Sequence, residues 1–342
     1  MKDKRSEYQN TIISIEKQLE RNNKWKKLYE GKINKLISNS KLISDSFSKV
    51  YVSGDLQKNL QIGKAQNLKD DSQVTIDLKY KGISVGCVSI DLSAKPGENA
   101  KLFREKEFGD YDKKKNGYKV KKISSGEQQP VNWLDPEARN WRKQFSTGLN
   151  WATRPEAAIE SYMNKRINKV LRYVAPVKLH KNVFQMSSPV GGNDLSKEGT
   201  TITKTKSGHI DLLARVKVRP AVYDLMIIEL KDEYTDNERP ELVIKQAIAY
   251  ATFIHNLLRS EQGLDWYHFF GFNSANLPKT LTLHACVMMP KPGDIEPDLS
   301  FSEIKDLEFR DSKDRLVLDY VLLEKDENGK DWKVATQSES FL

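Results

Sequence analysis

The chain has 342 residues, 38% of them hydrophobic and 30% charged, and a formal net charge of +9. A chain of this length buries a large core and is expected to fold as more than one domain, here with a highly charged surface. The composition argues against a membrane protein, because no apolar run is long enough to span a bilayer, and no signal peptide is expected. It also argues against a disulfide-rich protein, because the chain has only two cysteines, Cys87 and Cys286. The five histidines show no HExxH-like ligand spacing. We therefore expect a cytoplasmic protein without a membrane segment.

The positive charge is unevenly distributed. Residues 1–150 hold 30 lysines and arginines against 19 acidic residues, whereas residues 151–342 hold 26 against 28. Such asymmetry is typical of an arm or domain that meets a polyanion, most plausibly nucleic acid. The alternative, a lysine-rich surface that serves only solubility, stays open at this point.

The first half begins with helical patterns and continues with strands. Apolar side chains at roughly helical spacing predict a helix over residues 6–37, and a short second helix is predicted near 40–50. Residues 73–93 alternate apolar and polar side chains around a Lys-Gly turn, which predicts a β-hairpin. Residues 94–130 are polar and lysine-rich, which predicts an exposed loop. Asp135, followed by a proline, is a typical start of another helix.

From about residue 153 the pattern becomes an alternation of helices and strands. Pro155 begins a predicted helix that runs to Val174, and Pro240 begins a long amphipathic helix that runs to about Ser260. The predicted strands are 181–188, 208–216, 224–231, 281–289, 315–323 and 331–335. This order predicts an α/β fold with a mixed central sheet flanked by helices.

Three continuous segments follow from these patterns. Residues 1–125 form a basic N-terminal region of helices, hairpin and lysine-rich loop, which would serve recognition or partner binding. Residues 126–152 form a connecting helix. Residues 153–342 form the α/β domain.

The stretch DLMIIELKDE (224–233) ends an apolar strand in a carboxylate and an ammonium. Side chains alternate in a strand, so Glu229 and Lys231 point to the same face, and the apolar run before them indicates a strand covered on both faces. Buried charges need a partner or a metal. Asp211 lies in an apolar strand at hairpin distance upstream. Two converging carboxylates predict a Mg²⁺ site, and a lysine beside them can orient or help deprotonate an attacking water.

The same triplet of an acid, any residue and a lysine occurs elsewhere in the chain. The most similar case is Asp77-Leu78-Lys79, which also lies in a predicted strand. There the apolar residues alternate with polar ones, which predicts that Asp77 and Lys79 lie on a solvated face. Only Glu229 and Lys231 follow an uninterrupted apolar run with an acidic strand in reach.

The pattern GHID…IIELK resembles that of the PD-(D/E)XK nuclease superfamily, which has the restriction-endonuclease-like fold. The resemblance covers about residues 150–290. It implies that Asp211 is the first metal-binding aspartate, Glu229 the acid of the second half-motif and Lys231 the catalytic lysine. The first half-motif lacks the proline that often precedes the aspartate in this family.

The resemblance extends to two helices. The family carries a glutamate on the helix before the first core strand, and both Glu156 and Glu160 are candidates here, with Glu156 favoured because it lies on the predicted sheet-facing stripe. Gln246 and Tyr250 match the QxxxY motif of certain branches, on the helix after the lysine strand, which implies a role in binding substrate. The plain structural alternatives are a solvated helix carboxylate for either glutamate and a polar residue at the rim of the core for Gln246.

The resemblance implies a nuclease that needs Mg²⁺, with Mn²⁺ as a substitute, and that cuts nucleic acid, most plausibly as an endonuclease of double-stranded DNA in restriction, antiviral defence or repair. A homodimer or a partner protein would assemble through the N-terminal region. Two alternatives remain open: a catalytically inactive module of the same fold that binds nucleic acid or protein, and a member that cleaves RNA. Nothing in the sequence separates DNA from RNA.

Overall fold

A computed structural model describes most of the chain. The described residues are 2–21, 24–50, 52, 56–62, 73–80, 83–94, 99–104, 130–146, 155–179, 182–191, 208–233, 235, 238–293, 295–304, 307–329 and 331–341. Most of the predicted loop at 94–130 lies outside these residues, but residues 100–104 form a strand in which Ala100 and Leu102 are buried, so the loop prediction is wrong there. No helix in these ranges is both long enough and apolar enough to cross a membrane.

The fold is of the mixed α/β class, as predicted. Its helices are α1 (Lys2–Arg21), α2 (Lys24–Ser38), α3 (Ser40–Lys49), α4 (Pro136–Lys143), α5 (Pro155–Val170), α6 (Pro240–Leu258) and α7 (Gly263–Phe269). Its strands are β1 (Leu56–Ile62), β2 (Gln73–Tyr80), β3 (Ile83–Asp91), β4 (Ala100–Arg104), β5 (Val131–Asn132), β6 (Val174–Pro176), β7 (Lys178–Leu179), β8 (Asn182–Ser188), β9 (Gly208–Ile210), β10 (Leu212–Arg219), β11 (Val222–Leu230), β12 (Thr282–Pro290), β13 (Leu307–Glu308), β14 (Arg315–Lys325) and β15 (Trp332–Gln337).

Two predicted elements are divided in the structure. The helix predicted over residues 6–37 is two helices, α1 and α2, and the two asparagines between them lie outside the described residues. The strand predicted over 208–216 is interrupted at Asp211, between β9 and β10. The hairpin predicted at 73–93 is confirmed, with β2 and β3 paired antiparallel.

The chain divides into two compact units, which are discontinuous in sequence. Unit 1 comprises Met1–Ile33, Tyr162–Lys178 and Gln185–Leu342, and unit 2 comprises Asn34–Ser161 and Leu179–Phe184. The first helix therefore belongs to the same unit as the C-terminal half.

Unit 1 is built on a mixed sheet. Its strand order is β13-β14-β12-β11-β10-β6, with β15 paired to β14. β10 and β11 form an antiparallel hairpin, whereas β11, β12 and β14 run parallel. A parallel pair needs a crossover connection, which α6 and α7 supply between β11 and β12. Residues Leu225–Leu230 are all buried, so β11 is covered on both faces as predicted.

Helix α6 is buried on every side, which is unusual for a helix in a protein of this size. All residues from Leu242 to His255 are buried. Helix α1 contacts one side, where the Tyr8 hydroxyl donates to the Glu241 carbonyl at 3.2 Å and Glu7 pairs with Lys245. The N-terminal helix thus forms part of the core that surrounds α6.

The C-terminal end of α6 is fixed by a buried carboxylate. Asp314 is 1% exposed and accepts hydrogen bonds from His255 at 2.8 Å, from Arg259 at 2.6 and 2.7 Å and from the Leu281 amide at 2.7 Å. Burial alone raises the pKa of Asp314, but the hydrogen bonds from His255 and Arg259 outweigh burial and hold the pKa below its usual range. This carboxylate connects α6 to the beginnings of β12 and β14.

A second buried cluster lies within the sheet. His284 Nδ1 lies 2.7 Å from Asp319 Oδ2, and its Nε2 lies 3.4 Å from Asp224 Oδ2. Burial lowers the pKa of His284, but the hydrogen bonds with Asp224 and Asp319 outweigh it and raise the pKa to about 9. The imidazolium is therefore the stable form in the folded protein at neutral pH.

This cluster makes stability depend on pH. A histidine whose pKa is raised by folding stabilises the protein fully below about pH 6.5, and that stability is lost as the pH rises through about 9. We expect the free energy of unfolding in urea to fall by about 3 kcal/mol over this range. His284→Asn should remove most of the dependence, whereas His268→Gln, at an exposed position, should keep it. A decline of equal size in His284→Asn would assign the dependence to other groups.

Unit 2 contains an antiparallel sheet in which consecutive strands pair in the order β5-β4-β3-β2-β1. Its two faces are both covered. Tyr80 packs on Phe145 with ring centroids 5.2 Å apart, whereas on the other face Lys79 donates to Glu160 of α5 at 2.9 Å. The prediction that Asp77 and Lys79 face solvent is therefore wrong: they are 3% and 8% exposed. The polar face of this hairpin is a buried interface because a helix lies over it.

Candidate active site

The end of β11 carries a buried ion pair. Lys231 Nζ donates to Glu229 Oε1 at 2.7 Å, and the two residues are 6% and 4% exposed. The Lys231 amide also donates to the Met288 carbonyl of β12 at 3.0 Å, which fixes the backbone just after the strand ends. The pair thus lies at the strand end, on a backbone held by the neighbouring strand.

Asp211 lies beside this pair. It lies between β9 and β10, where it separates the two strands. Its Oδ2 accepts a hydrogen bond from the Leu230 amide at 2.9 Å. The β10–β11 register begins with the pair Leu212 and Ile228, so Asp211 directly precedes the first paired residue of β10. The structure therefore places Asp211 beside the backbone that carries Glu229 and Lys231. That these three side chains form one catalytic site stays a prediction.

Gln246 and Tyr250 lie one turn apart on α6, and each is 3% exposed. Tyr250 lies against the segment that leads to Asp211, because a Cβ added to Gly208 would be 2.6 Å from the Tyr250 hydroxyl. Within the described residues, Gln246 Oε1 has no hydrogen-bond partner. A buried amide oxygen without a partner costs about 1–3 kcal/mol. This oxygen is therefore an available acceptor within the core around α6.

The two predicted glutamates lie in the part of α5 that belongs to unit 2. Glu160 accepts from Lys79, as described above, and Glu156 is exposed. Asp211 and Glu229 belong to unit 1. It stays a prediction that Glu156 or Glu160 joins Asp211 and Glu229 in one acidic cluster.

The acidic side chains of the site limit which metal ions it could hold. Among the residues that the structure describes, no group of three or more His, Cys, Asp or Glu side chains could hold a metal ion. Asp211 and Glu229 offer two carboxylates. Mg²⁺ is commonly bound by one or two carboxylates together with water and substrate phosphates, whereas a cage made only of protein ligands needs more donors. The residues present therefore fit Mg²⁺ bound together with substrate and do not fit a structural metal site.

The sequence patterns did not single out Lys32, a buried lysine of α2 that lies beside Tyr29. The Tyr29 hydroxyl donates to the Ser187 carbonyl, and Ser187 pairs with His209, two residues before Asp211. Lys32 Nζ lies 4.6 Å from the centroid of the Tyr29 ring, and burial lowers the pKa of Lys32 to about 8. Residues three apart share a helix face, so the position of Lys32 relative to Tyr29 was the available signal.

Comparison with known proteins returns nothing similar. No family model matches the chain, and neither does any curated protein or solved structure. The chemistry of the site is therefore the basis for assigning a function.

Proposed function

We propose that this chain is a metal-dependent nuclease of the PD-(D/E)XK superfamily, with a restriction-endonuclease-like fold, that hydrolyses phosphodiester bonds in DNA. The observation that carries the proposal is the buried Glu229–Lys231 pair, 2.7 Å apart, beside Asp211, whose Oδ2 accepts from the Leu230 amide at 2.9 Å. Buried charges of this kind are costly for stability, and replacement by apolar residues is often neutral or stabilising. Their presence at a strand end is therefore better explained by chemistry than by folding.

The order of elements supports the same family. Helix α5 is followed by β6, by the β10–β11 hairpin with its acid and lysine, by α6 with its Gln-x-x-x-Tyr, and by the parallel strand β12. β10, which directly follows Asp211, and β11, which contains Glu229, are adjacent and antiparallel. The glutamine and tyrosine lie on the helix that follows the lysine strand.

Each side chain has a distinct role in this proposal. Asp211 and Glu229 would hold Mg²⁺, which when bound polarises a phosphoryl oxygen and lowers the pKa of a coordinated water. The Lys231 ammonium, fixed by Glu229, orients the attacking water and stabilises negative charge that develops on the phosphorus centre. Gln246 accepts a hydrogen bond from the substrate, and Tyr250 supports the segment that ends in Asp211.

A second function, binding without hydrolysis, is favoured by one observation. Among the described residues, no group of three or more His, Cys, Asp or Glu side chains could hold a metal ion. A nuclease fold with an incomplete acidic cluster would bind nucleic acid and leave it intact. Cleavage of RNA in place of DNA would use the same residues.

The test is incubation of the purified chain with supercoiled plasmid, linear duplex, single-stranded DNA and single-stranded RNA, each with Mg²⁺ or with EDTA. We expect Mg²⁺-dependent nicking or linearisation of the plasmid. Cleavage of RNA alone would replace the DNA assignment, and intact substrates with Mg²⁺ and with Mn²⁺, together with measurable binding, would favour the binding module.

A further inference from the structure

Two exposed tyrosines lie at the far end of the β10–β11 hairpin from Asp211. Tyr173 is 46% exposed and Tyr223 is 43% exposed. The Lys217 amide donates to the Tyr173 carbonyl at 3.0 Å, and Lys217 pairs with Tyr223 in the β10–β11 register. Tyr173, Lys217 and Tyr223 therefore form a row across three chain segments, on one face of the sheet. We call this row the tyrosine row.

Cations surround both rings. The Arg172 guanidinium lies 4.7 Å from the centroid of the Tyr173 ring, Lys217 Nζ lies 5.5 Å from the same centroid, and Arg215 lies 6.0 Å from that of Tyr223. Segments 169–173 and 215–223 contain basic residues and no acidic ones, and the next residue, Asp224, pairs with the buried His284. The segments that carry the tyrosine row thus have the charge that complements a polyanion.

The backbone of Tyr173 adds an independent argument. Its φ is +66°, in the left-handed region that residues other than glycine rarely adopt. A glycine would avoid this strain, and the ring recovers little from burial because it is almost half exposed. A left-handed residue is common just after a helix such as α5, but it is usually glycine or asparagine, so the exposed tyrosine at this position is not explained by the turn itself.

We propose that the tyrosine row binds single-stranded nucleic acid, with bases stacked on the two rings and phosphates near Lys217 and Arg172. Stacking on tyrosine requires bases that are free of a partner strand, and a basic groove follows the backbone between them. Strands are spaced by about 4.8 Å, so the rings are about 10 Å apart with Lys217 between them. A duplex offers only phosphates to this surface because its bases are already stacked on one another.

The tyrosine row shares a face with the candidate active site. Side chains alternate in strands, so Tyr223 and Glu229 of β11 point to the same side. These two residues are six positions apart along β11, or about 20 Å. Binding at the tyrosine row does not depend on cleavage, and it is measured without metal.

The experiment is fluorescence anisotropy of the full chain in EDTA, with labelled 20-mers of oligothymidylate and oligouridylate and a 20-base-pair duplex. We expect both single strands to bind at least about tenfold more tightly than the duplex, and each of Tyr173→Leu and Tyr223→Leu to weaken binding by about tenfold. Phenylalanine in place of either tyrosine should keep binding within about twofold, since the ring is retained. Phe103→Leu, at an exposed aromatic position of unit 2, is the matched control and should not change binding.

Two measurements separate loss of binding from loss of fold. Tyr173→Gly should keep or raise Tm, because glycine adopts the left-handed conformation freely, and should still lose binding. Lys217→Gln should reduce the slope of log K against log salt by about 0.7 for a single strand. The proposal is overturned if the leucine variants bind like the wild type, or if the duplex binds equally well with the same dependence on the tyrosines. If the protein cleaves none of the substrates but shows the expected binding pattern, the proposed nuclease function is refuted and the proposed binding at the tyrosine row is supported.

Discussion

Asp211→Asn is expected to reduce Mg²⁺-dependent cleavage by about 10³-fold or more while the protein stays folded. The asparagine oxygen can still accept the hydrogen bond from the Leu230 amide, so the segment between β9 and β10 keeps its geometry and only the negative charge is lost. Initial rates of plasmid nicking, together with urea unfolding, measure the two effects separately.

Lys231→Met tests the other half of the site. The methionine has a similar length and lacks the ammonium that donates to Glu229, so cleavage should fall by at least about 10²-fold. The matched control is Lys333→Ala: Lys333 also ends an acid-x-lysine triplet, but it is exposed and pairs with Glu324 at 3.1 Å. The Lys333→Ala variant should cleave plasmid at the same rate as the wild type. If Asp211→Asn and Lys231→Met both retain full activity, the proposed site is wrong.

The largest expected effect on stability is at Asp314. Asp314→Ala removes the acceptor for His255, Arg259 and the Leu281 amide at once. Removal of one partner from a buried charged network costs about 3–5 kcal/mol, and the partial exposure of Arg259 favours the lower end of that range. The midpoint of urea unfolding should therefore fall markedly.

The control for this variant is Asp331→Ala. Asp331 pairs with Arg166 at 2.6 Å, but both side chains are about half exposed. An exposed pair contributes about 0–1 kcal/mol, so this variant should unfold close to the wild type. Equal loss of stability in the two variants would show that burial of Asp314 is not the cause.

The central part of the candidate site was predictable because it depends on local patterns. The apolar run before Glu229 predicted a strand covered on both faces, and alternation placed Glu229 and Lys231 together. The distance in sequence to Asp211 predicted an antiparallel neighbour, and the register bears this out. These features need only the period of a strand and the length of a hairpin.

Features that depend on distant segments were not predictable. The burial of Asp77 and Lys79 results from α5, which lies about 80 residues away in sequence and contributes Glu160 at 2.9 Å. Alternation along a strand describes its two faces but not what covers each one. The same limit applies to the tyrosine row, because Tyr173 and Tyr223 come together only when β6 pairs with β10.

The packing of α1 on α6 has a consequence for synthesis of the chain. Tyr8 and its partner Glu241 are 233 residues apart, and Gln9 binds the Glu308 carbonyl across 299 residues. At typical elongation rates the ribosome needs about 10–50 s to make the intervening chain. During that time Ile12, Ile15 and Leu19, which are buried in the folded protein, have no α6 to cover them. The nascent chain therefore carries a helix whose apolar face is uncovered, and the packing of α1 on α6 waits until α6 has left the ribosome.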